Sequence, residues 1–187
     1  TNDILRLFIA LTAVNDVGTQ LKEVSKSIGK VLIDPIKGFG VISDYAAKRV
    51  SHATGFGSAS FTKSHPLLKD QAGIFEDCTR NLATMVDRLL RKHGKEIVGK
   101  QFATRRLADS MIDLFVLGCV LSRVTAEIQA KGEAGTTRER EILQVFAGQV
   151  NRRVKSNFGK IDNNDDDQII SLADDVLGNE GYRWDTI

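Results

Sequence analysis

Apolar residues recur along this chain at helical spacing, and alternating strand patterns are nearly absent. In the first segment they follow one another at steps of three, four or seven positions. This period draws one apolar stripe along a long helix, which Thr1 or Asn2 caps and Pro35 interrupts. The stripe consists of Ile4, Phe8, Leu11, Val14, Leu21, Val24, Ile28 and Val31.

Three further long helices and a short one are predicted after residue 63, because capping residues and glycines bound each periodic segment. Helices joined by short loops favour antiparallel neighbours. The predicted fold class is therefore all-α, a helical bundle. The predicted helices run from Ser64-His65-Pro66 to Gly94, from Gln101 to Gly132, from Thr136-Thr137 to Gly159, and from Asp165 to Leu177.

Each long helix has one side that we expect to be buried. Cys78 and Cys119 lie on such apolar stretches, and each is interpreted as a small buried residue of a reducing compartment rather than half of a disulfide. The helix from Gln101 is predicted to bury Phe102, Leu107, Met111, Ile112, Phe115, Cys119, Val124 and Ile128, and the next helix Ile142, Leu143, Phe146, Val150, Val154 and Phe158.

Charge is unevenly distributed, although the net charge is only +2. Seven Lys or Arg between Lys22 and Lys63 accompany three acids, whereas residues 161–187 carry eight acids and one arginine. The early region favours an anionic partner, but the acidic end and the lack of a basic stripe with interleaved aromatics argue against nucleic acid. The longest apolar run, Met111 to Leu121, is too short to span a bilayer.

No metal site and no catalytic residue is predicted. The three histidines have no second ligand at zinc spacing, and the chain lacks a Gly-x-Ser-x-Gly motif or a phosphate-binding loop. The acidic run 162–167 lacks the turn glycine of a calcium loop, so we interpret these acids as caps of the last helix.

Four charged residues lie on successive turns of the helix from Gln101: Arg105, Arg106, Asp109 and Asp113. Arg105 and Asp109 are spaced as an i,i+4 ion pair. Asp113 lies among apolar neighbours and therefore needs a partner, either Arg106 or a residue of a neighbouring helix. A structural ion pair is favoured over a catalytic acid.

Two stretches of sequence resemble the acyl-CoA dehydrogenases, in particular their very-long-chain branch. The first stretch runs from Thr1 to Leu11, in the order Thr-Asn-Asp-Ile-Leu-Arg-Leu-Phe-Ile-Ala-Leu. The second lies in the predicted third helix. It comprises Gln101-Phe102, Arg106-Leu107-Ala108-Asp109, Ile112-Asp113-Leu114-Phe115 and Val120-Leu121-Ser122-Arg123.

The resemblance implies a flavoenzyme of β-oxidation that converts long fatty acyl-CoA to trans-2-enoyl-CoA. In that family a glutamate removes the α-proton while FAD takes the β-hydride and passes electrons to electron-transfer flavoprotein. By the match, Thr1, Asn2 and Asp3 fall where the family contacts FAD. Free N–H groups at a helix N-terminus suit a pyrophosphate, although the same residues also suit a plain N-cap.

The chain departs from the family pattern at its start. The family's glutamate and glycine precede the segment that matches Thr1, so no residue here is assigned as the base. We expect the chain to be the carboxy-terminal part of a longer dehydrogenase. Taken alone, it is expected to be inactive and to bind no FAD.

The resemblance also divides the chain. Residues 1–28 correspond to a terminal helix of the shared dehydrogenase domain, 29–63 to a flexible amphipathic linker, and 64–187 to an additional helical bundle. In the very-long-chain branch this extra region is associated with homodimer support and membrane attachment.

The linker has the composition of a helix in an anionic membrane interface across residues 30–53. Alternatively, this segment docks on a protein surface or is disordered. Lysines and Arg49 flank an apolar face made of Ile36, Phe39, Ile42, Ala46, Val50 and Ala53, while Tyr45 lies on the polar side.

Two other interpretations compete with the enzyme fragment. One is a non-catalytic helical adaptor, related to the same dehydrogenases, that docks a protein partner. The other is a helical bundle whose resemblance reflects fold alone, against which the Thr-Asn-Asp start counts, because packing does not demand it. Bacterial cytoplasm, with peripheral attachment to the inner membrane, and mitochondrial matrix or inner membrane both fit.

Overall fold

The computed structural model describes residues 2–30 and 61–182. Within these two ranges every regular element is helical, which confirms the predicted all-α class. Short 3-10 turns at Pro66–Leu68, Gly94–Gly99 and Ala134–Thr136 separate the longer elements. The helices are α1 (Asn2–Lys30), α2 (Lys69–His93), α3 (Gln101–Lys131), α4 (Thr137–Gly159) and α5 (Asp166–Gly178).

Glycines end two helices where the sequence predicted. Gly94 and Gly132 follow α2 and α3 with φ angles of 53° and 73°. This left-handed conformation costs glycine little because it has no Cβ. At the other end of α2, Pro66 occupies a first turn, and His65 Nδ1 accepts a hydrogen bond from the N–H of Leu67 at 3.3 Å.

Two apolar clusters form the core, and α3 contributes to both. The first joins α2, α3 and α4, and the second joins α1, α2 and the N-terminal half of α3. Most buried residues of α3 recur at steps of three and four from Ala103 to Ile128, and the others are their immediate neighbours, which places all of them on one side of the helix. They are Ala103, Thr104, Leu107, Ala108, Ser110, Leu114, Leu117, Leu121, Val124, Thr125 and Ile128.

The buried side of α3 differs from the predicted one in the middle of the helix. Leu114, Leu117 and Leu121 are buried, whereas Phe115 is 74% exposed and Ile112 is also exposed. The prediction for these two residues was wrong because α3 carries two apolar stripes, and periodicity alone cannot choose between them. On α4, Ile142 is likewise exposed while Leu143 is fully buried.

The predicted stripe of α1 is also only partly buried. Ala10 and Val14 pack into the second cluster, but Ile4 and Phe8 are 72% and 70% exposed. Within the described residues, α1 meets α3 along the line of Arg6, Ala10 and Val14. The other two apolar side chains lie off that line.

The two cysteines have different environments and form no disulfide. Cys78 is fully buried in the first cluster, and burial raises the pKa of its thiol to about 11. Cys119 is exposed on α3. The prediction of a buried thiol is therefore confirmed for Cys78 and wrong for Cys119.

The predicted linker 29–63 lies mostly outside the described residues, as does its proposed membrane-seeking face. Among the helices that the structure describes, none is long and apolar enough to cross a membrane.

The stability effect of truncation should distinguish the two apolar stripes of α3. We expect Leu117→Ala to lower the free energy of unfolding by about 2–5 kcal/mol, because it leaves a cavity in the core. Phe115→Ala removes an exposed side chain and should change it by no more than about 0.5 kcal/mol. Urea unfolding followed by circular dichroism measures both. A larger loss for Phe115→Ala would contradict the assignment of the buried stripe.

Thiol reactivity should distinguish the cysteines. In the native protein at about pH 7, a disulfide reagent such as 5,5′-dithiobis(2-nitrobenzoate) should modify Cys119 quickly and Cys78 slowly, because the thiolate is the nucleophile. Unfolding in urea should release the second thiol. Two fast-reacting thiols in the native protein would show that Cys78 is not enclosed as described.

Candidate cofactor-contact site

The candidate site lies at the beginning of α1. Asn2 and Asp3 form the first turn of this helix, and both are exposed; Thr1 lies outside the described residues. N–H groups in a first helical turn have no partner within the helix. They therefore point towards whatever occupies the space before α1.

Arg6 connects this turn to α3. Its Nε donates to Asp109 Oδ1 at 2.7 Å, and its Nη1 donates to Asp3 Oδ1 at 3.4 Å. The hydrogen bond with Asp109 is the main cause of a raised pKa for Arg6. Asp109 therefore pairs with α1 and not, as the spacing suggested, with Arg105 of its own helix.

A cleft of about 320 Å³ opens between the first turns of α1 and α3. Asp3, Ile4 and Arg6 line it from α1, together with Leu7. Its α3 wall is made of Gln101, Phe102, Thr104 and Arg105. One carboxylate, two guanidinium groups and an amide thus surround a space whose walls are partly apolar.

The cleft contains both hydrogen-bond donors and a hydrogen-bond acceptor, which suit different parts of a ligand. Arg105 and the free N–H groups of α1 are donors that suit a phosphate. Asp3 is an acceptor, so it suits a hydroxyl or amine and repels a phosphate at close range. A dinucleotide presents both kinds of group, and the donor set fits its pyrophosphate while the carboxylate fits a ribose hydroxyl. Asn2 and Asp3 as FAD contacts remain a prediction.

Two other ion pairs attach α3 to neighbouring helices. Arg106 donates from both terminal nitrogens to Asp166 at 2.6 Å each, and this bidentate hydrogen bonding raises the pKa of Arg106. Arg153 donates to both oxygens of Asp113 at 2.8 Å, which raises the pKa of Arg153 in the same way. Of the two predicted partners for Asp113, the neighbouring helix therefore supplies the actual one.

A second concave surface lies between α2 and α3, which we name the aromatic groove: Phe61, Thr62, Lys63, Phe75, Thr79, Leu82, Leu114, Phe115, Gly118, Cys119, Ser122, Arg123 and Ala126. The rings of Phe61 and Phe75 lie 5.2 Å apart, and the N–H of Phe61 donates to Glu76 Oε1 at 2.6 Å. Gly118 leaves room for Phe75, whose Cε2 would lie 3.4 Å from an added Cβ. The groove encloses about 1010 Å³.

Sequence reasoning missed the α3 side of the cleft and the role of Arg6. The Asp3–Arg6 spacing of three was a visible signal, because residues i and i+3 are neighbours on a helix. Nothing in the spacing could reveal that Gln101 and Arg105 lie beside α1. In the part of the chain that the structure describes, no cluster of three or more His, Cys, Asp or Glu side chains could hold a metal ion.

Comparison with known proteins assigns the family. The profile described as ACAD9/ACADV, C-terminal domain, matches residues 66–182. The very long-chain specific acyl-CoA dehydrogenase, mitochondrial, of Rattus norvegicus is 32% identical over 170 residues, which are 90% of this chain and 25% of the relative. The protein of the same name in Homo sapiens is 31% identical over 163 residues, or 86% of this chain and 24% of the relative.

The chain thus spans about a quarter of the length of the curated relatives that it matches. The match of the profile covers α2 to α5, and the relatives extend the similarity over most of the chain. The chain therefore belongs to the ACAD9/ACADV C-terminal domain family, and corresponds to the C-terminal portion of very-long-chain-type acyl-CoA dehydrogenases.

Proposed function

We propose that this chain is the C-terminal helical part of an FAD-dependent long-chain or very-long-chain acyl-CoA dehydrogenase of β-oxidation. The observation that carries the proposal is the combination of similarity over 90% of the chain with a donor-rich cleft at the start of α1. The parent would oxidise fatty acyl-CoA to trans-2-enoyl-CoA and pass electrons to an electron-transfer flavoprotein. The similarity to mitochondrial relatives favours a mitochondrial location over a bacterial one.

In this proposal Thr1, Asn2 and Asp3 contact FAD, which supplies the hydride acceptor. The residues of this chain would bind FAD and orient it. The α1 N-terminus and Arg105 would bind its negatively charged pyrophosphate, and Asp3 would accept a hydrogen bond from a ribose hydroxyl. Arg6 fixes the first turn of α1 against Asp109. No residue of the chain is proposed as the base.

We further propose that three regions of the chain have different roles. Residues 1–28 belong to the shared dehydrogenase domain, 29–63 form a flexible amphipathic linker, and 64–187 form the additional bundle. The bundle would support a homodimer or attach the enzyme to a membrane or partner. Exposed apolar side chains such as Phe115 on α3 favour a role in attachment.

A non-catalytic adaptor is the second candidate function. The aromatic groove favours it, because an apolar concave surface of this size suits a partner helix. A protein partner recovered through the bundle, combined with a longer gene product that lacks dehydrogenase activity, would support the adaptor over the enzyme.

The chain alone should be free of flavin. A cleft of about 320 Å³ at the edge of the molecule is small for a dinucleotide and would enclose only part of one. We expect no flavin absorbance in the purified chain and no acyl-CoA-dependent dye reduction. Bound flavin or turnover would contradict this expectation.

The longer product of the same gene provides the direct test of the enzyme proposal. It should carry FAD and reduce a dye with long-chain acyl-CoA, and its sequence should place Glu-Gly immediately before Thr1. Within it, Asp3→Ala should increase FAD loss during gel filtration, whereas Asp70→Ala, an acid in the first turn of α2, should not. A longer product without flavin, or with an unrelated stretch before Thr1, would exclude the proposed function.

Membrane attachment through residues 30–53 has its own test. The chain should co-sediment with vesicles containing phosphatidylglycerol more than with neutral phosphatidylcholine vesicles, because basic residues flank the apolar face. Phe39→Asp should reduce recovery, while Tyr45→Asp, on the polar side, should reduce it less. Equal recovery with both vesicles and no loss on Phe39→Asp would remove the membrane proposal.

A further inference from the structure

Helix α5 is attached to the bundle differently from the other four helices. In the ranges that the structure describes, α1 to α4 pack against one another and bury apolar side chains between them. No residue of α5 is buried, and among the described helices α5 packs along none. Even Ile170, which lines a small pocket beside α5, is 41% exposed. Apolar packing therefore does little to hold α5 in place.

Ion pairs join the first turn of α5 to α3. Both terminal nitrogens of Arg106 donate to the two carboxylate oxygens of Asp166 at 2.6 Å. Lys100 Nζ, from the residue before α3, donates to Asp167 Oδ1 at 3.4 Å. The pair of Arg106 and Asp166 is the shorter and the more enclosed of the two, and we name it the α5 latch.

The segment before α5 is attached to the bundle by other contacts. Ile161 is buried in the second apolar cluster, and Asp162 pairs with Arg88 of α2 at 3.0 Å. Asn164 Nδ2 donates to the carbonyl oxygen of Ile161 at 3.0 Å, and Asn164 Oδ1 accepts from the N–H of Asp166 at 3.2 Å. The chain therefore has a fixed point at Ile161, shortly before α5 begins.

The contact at the first turn of α5 is one between opposite charges. Residues 162–182 contain seven Asp or Glu and no Lys or Arg. On the side of the bundle, Lys92 and Lys100 line the small pocket together with Asp166 and Asp167. Salt weakens such attraction, because the range of charge interactions falls from about 10 Å at an ionic strength of about 0.1 M to about 3 Å at about 1 M. The attachment of α5 should therefore weaken as ionic strength rises.

The pair of Arg153 and Asp113 offers a comparison within the same molecule. It joins α4 to α3 and is bidentate, with both distances at 2.8 Å. Unlike α5, however, α4 also buries apolar side chains, among them Leu143 and Val150. Loss of this pair should therefore leave α4 in place, whereas loss of the latch removes the closest contact that α5 makes with the bundle.

We propose that α5 is a strap that opens from the bundle as a unit, and that the bidentate pair of Arg106 and Asp166 holds it closed. When the strap opens, Ile161 stays in the core and α1 to α4 stay folded. The device responds to ionic strength because its closing contact is an ion pair. This inference concerns the described bundle and does not depend on the dehydrogenase assignment.

Opening of the strap changes the charge at the edge of the candidate cleft. Gln101 and Phe102 line both the cleft and the small pocket, which Asp166 and Asp167 also line. Withdrawal of these two acids leaves Lys100 without the carboxylate that it contacts in the closed form. An anion in the cleft then meets less negative charge nearby.

Release of α5 also weakens its helical structure. A helix of thirteen residues is marginal in water without packing partners. Once the latch opens, the amides of α5 therefore lose their helical hydrogen bonds for part of the time. Because exchange of an amide with solvent requires such opening, its rate reports how often α5 is released.

Hydrogen exchange in the full chain tests the strap. Arg106→Met keeps the apolar stem and removes the donors of the latch, and it lies on α3, so it leaves the helix propensity of α5 unaltered. We expect it to raise the exchange rates of the α5 amides about tenfold. The matched control is Arg153→Met, which breaks the comparison pair and should change the rates of the α4 amides by less than about twofold.

Salt provides a test that needs no substitution. Raising sodium chloride from about 0.05 M to about 1 M should speed exchange in α5 of the unaltered chain about threefold relative to α4. This effect is smaller than that of Arg106→Met because an enclosed pair is screened less than an exposed one. In Arg106→Met the same change of salt should have less effect, since the latch is already absent.

Three results would overturn the proposal. Unaltered exchange of α5 in Arg106→Met would show that other contacts hold this helix. Equally faster exchange in α3, α4 and α5 would show that the pair supports the whole bundle and that α5 does not open as a unit. Exchange of α5 that is indifferent to salt in the unaltered chain would exclude a closing contact that responds to ionic strength.

Discussion

The fold depends on a single helix that has to serve two cores. The buried side of α3 supplies Leu107 and Ala108 to the cluster with α1 and α2, and Leu114, Leu117 and Leu121 to the cluster with α2 and α4. Leu107, Leu114, Leu117 and Leu121 are separated by seven, three and four positions, so one face of the helix serves both clusters. Among the described residues, Phe115 and Cys119 of the second apolar stripe of α3 stay exposed, and both line the aromatic groove.

A polar stripe on the same helix sets the positions of its neighbours. Arg106, Asp109 and Asp113 are spaced at i, i+3 and i+7, and each pairs with a different helix: α5, α1 and α4. The Arg106–Asp166 pair is the least exposed of the three, at 17% and 16%. The pairs with Asp166 and Arg153 are bidentate, and bidentate pairs fix geometry as well as adding energy, so these two contacts specify orientation more than they add stability.

The sequence predicted the helices well and their contacts less well. Glycines, proline and helical periodicity are local signals, so the ends at Gly94 and Gly132 were correct. The choice between Leu114 and Phe115 as the buried residue depends on which neighbours pack against α3, which no local pattern contains. The candidate site shows the same limit: the resemblance predicted Asp3 as a contact, whereas no pattern in the sequence predicted Arg105, which lines the cleft through tertiary packing.

The proposed cofactor contacts lie close to the point where α1 is attached to the bundle. Arg6 lies one helical turn after Asp3, and at 1.5 Å per residue the pair with Asp109 is within about 5 Å of the candidate contact along the helix axis. Packing of Ala10 and Val14 continues the attachment over the next two turns. A flavin held at the start of α1 would therefore rest on a helix that the bundle fixes. A movement of α3 would therefore reach the end of α1 that carries the candidate contacts through the pair of Arg6 and Asp109.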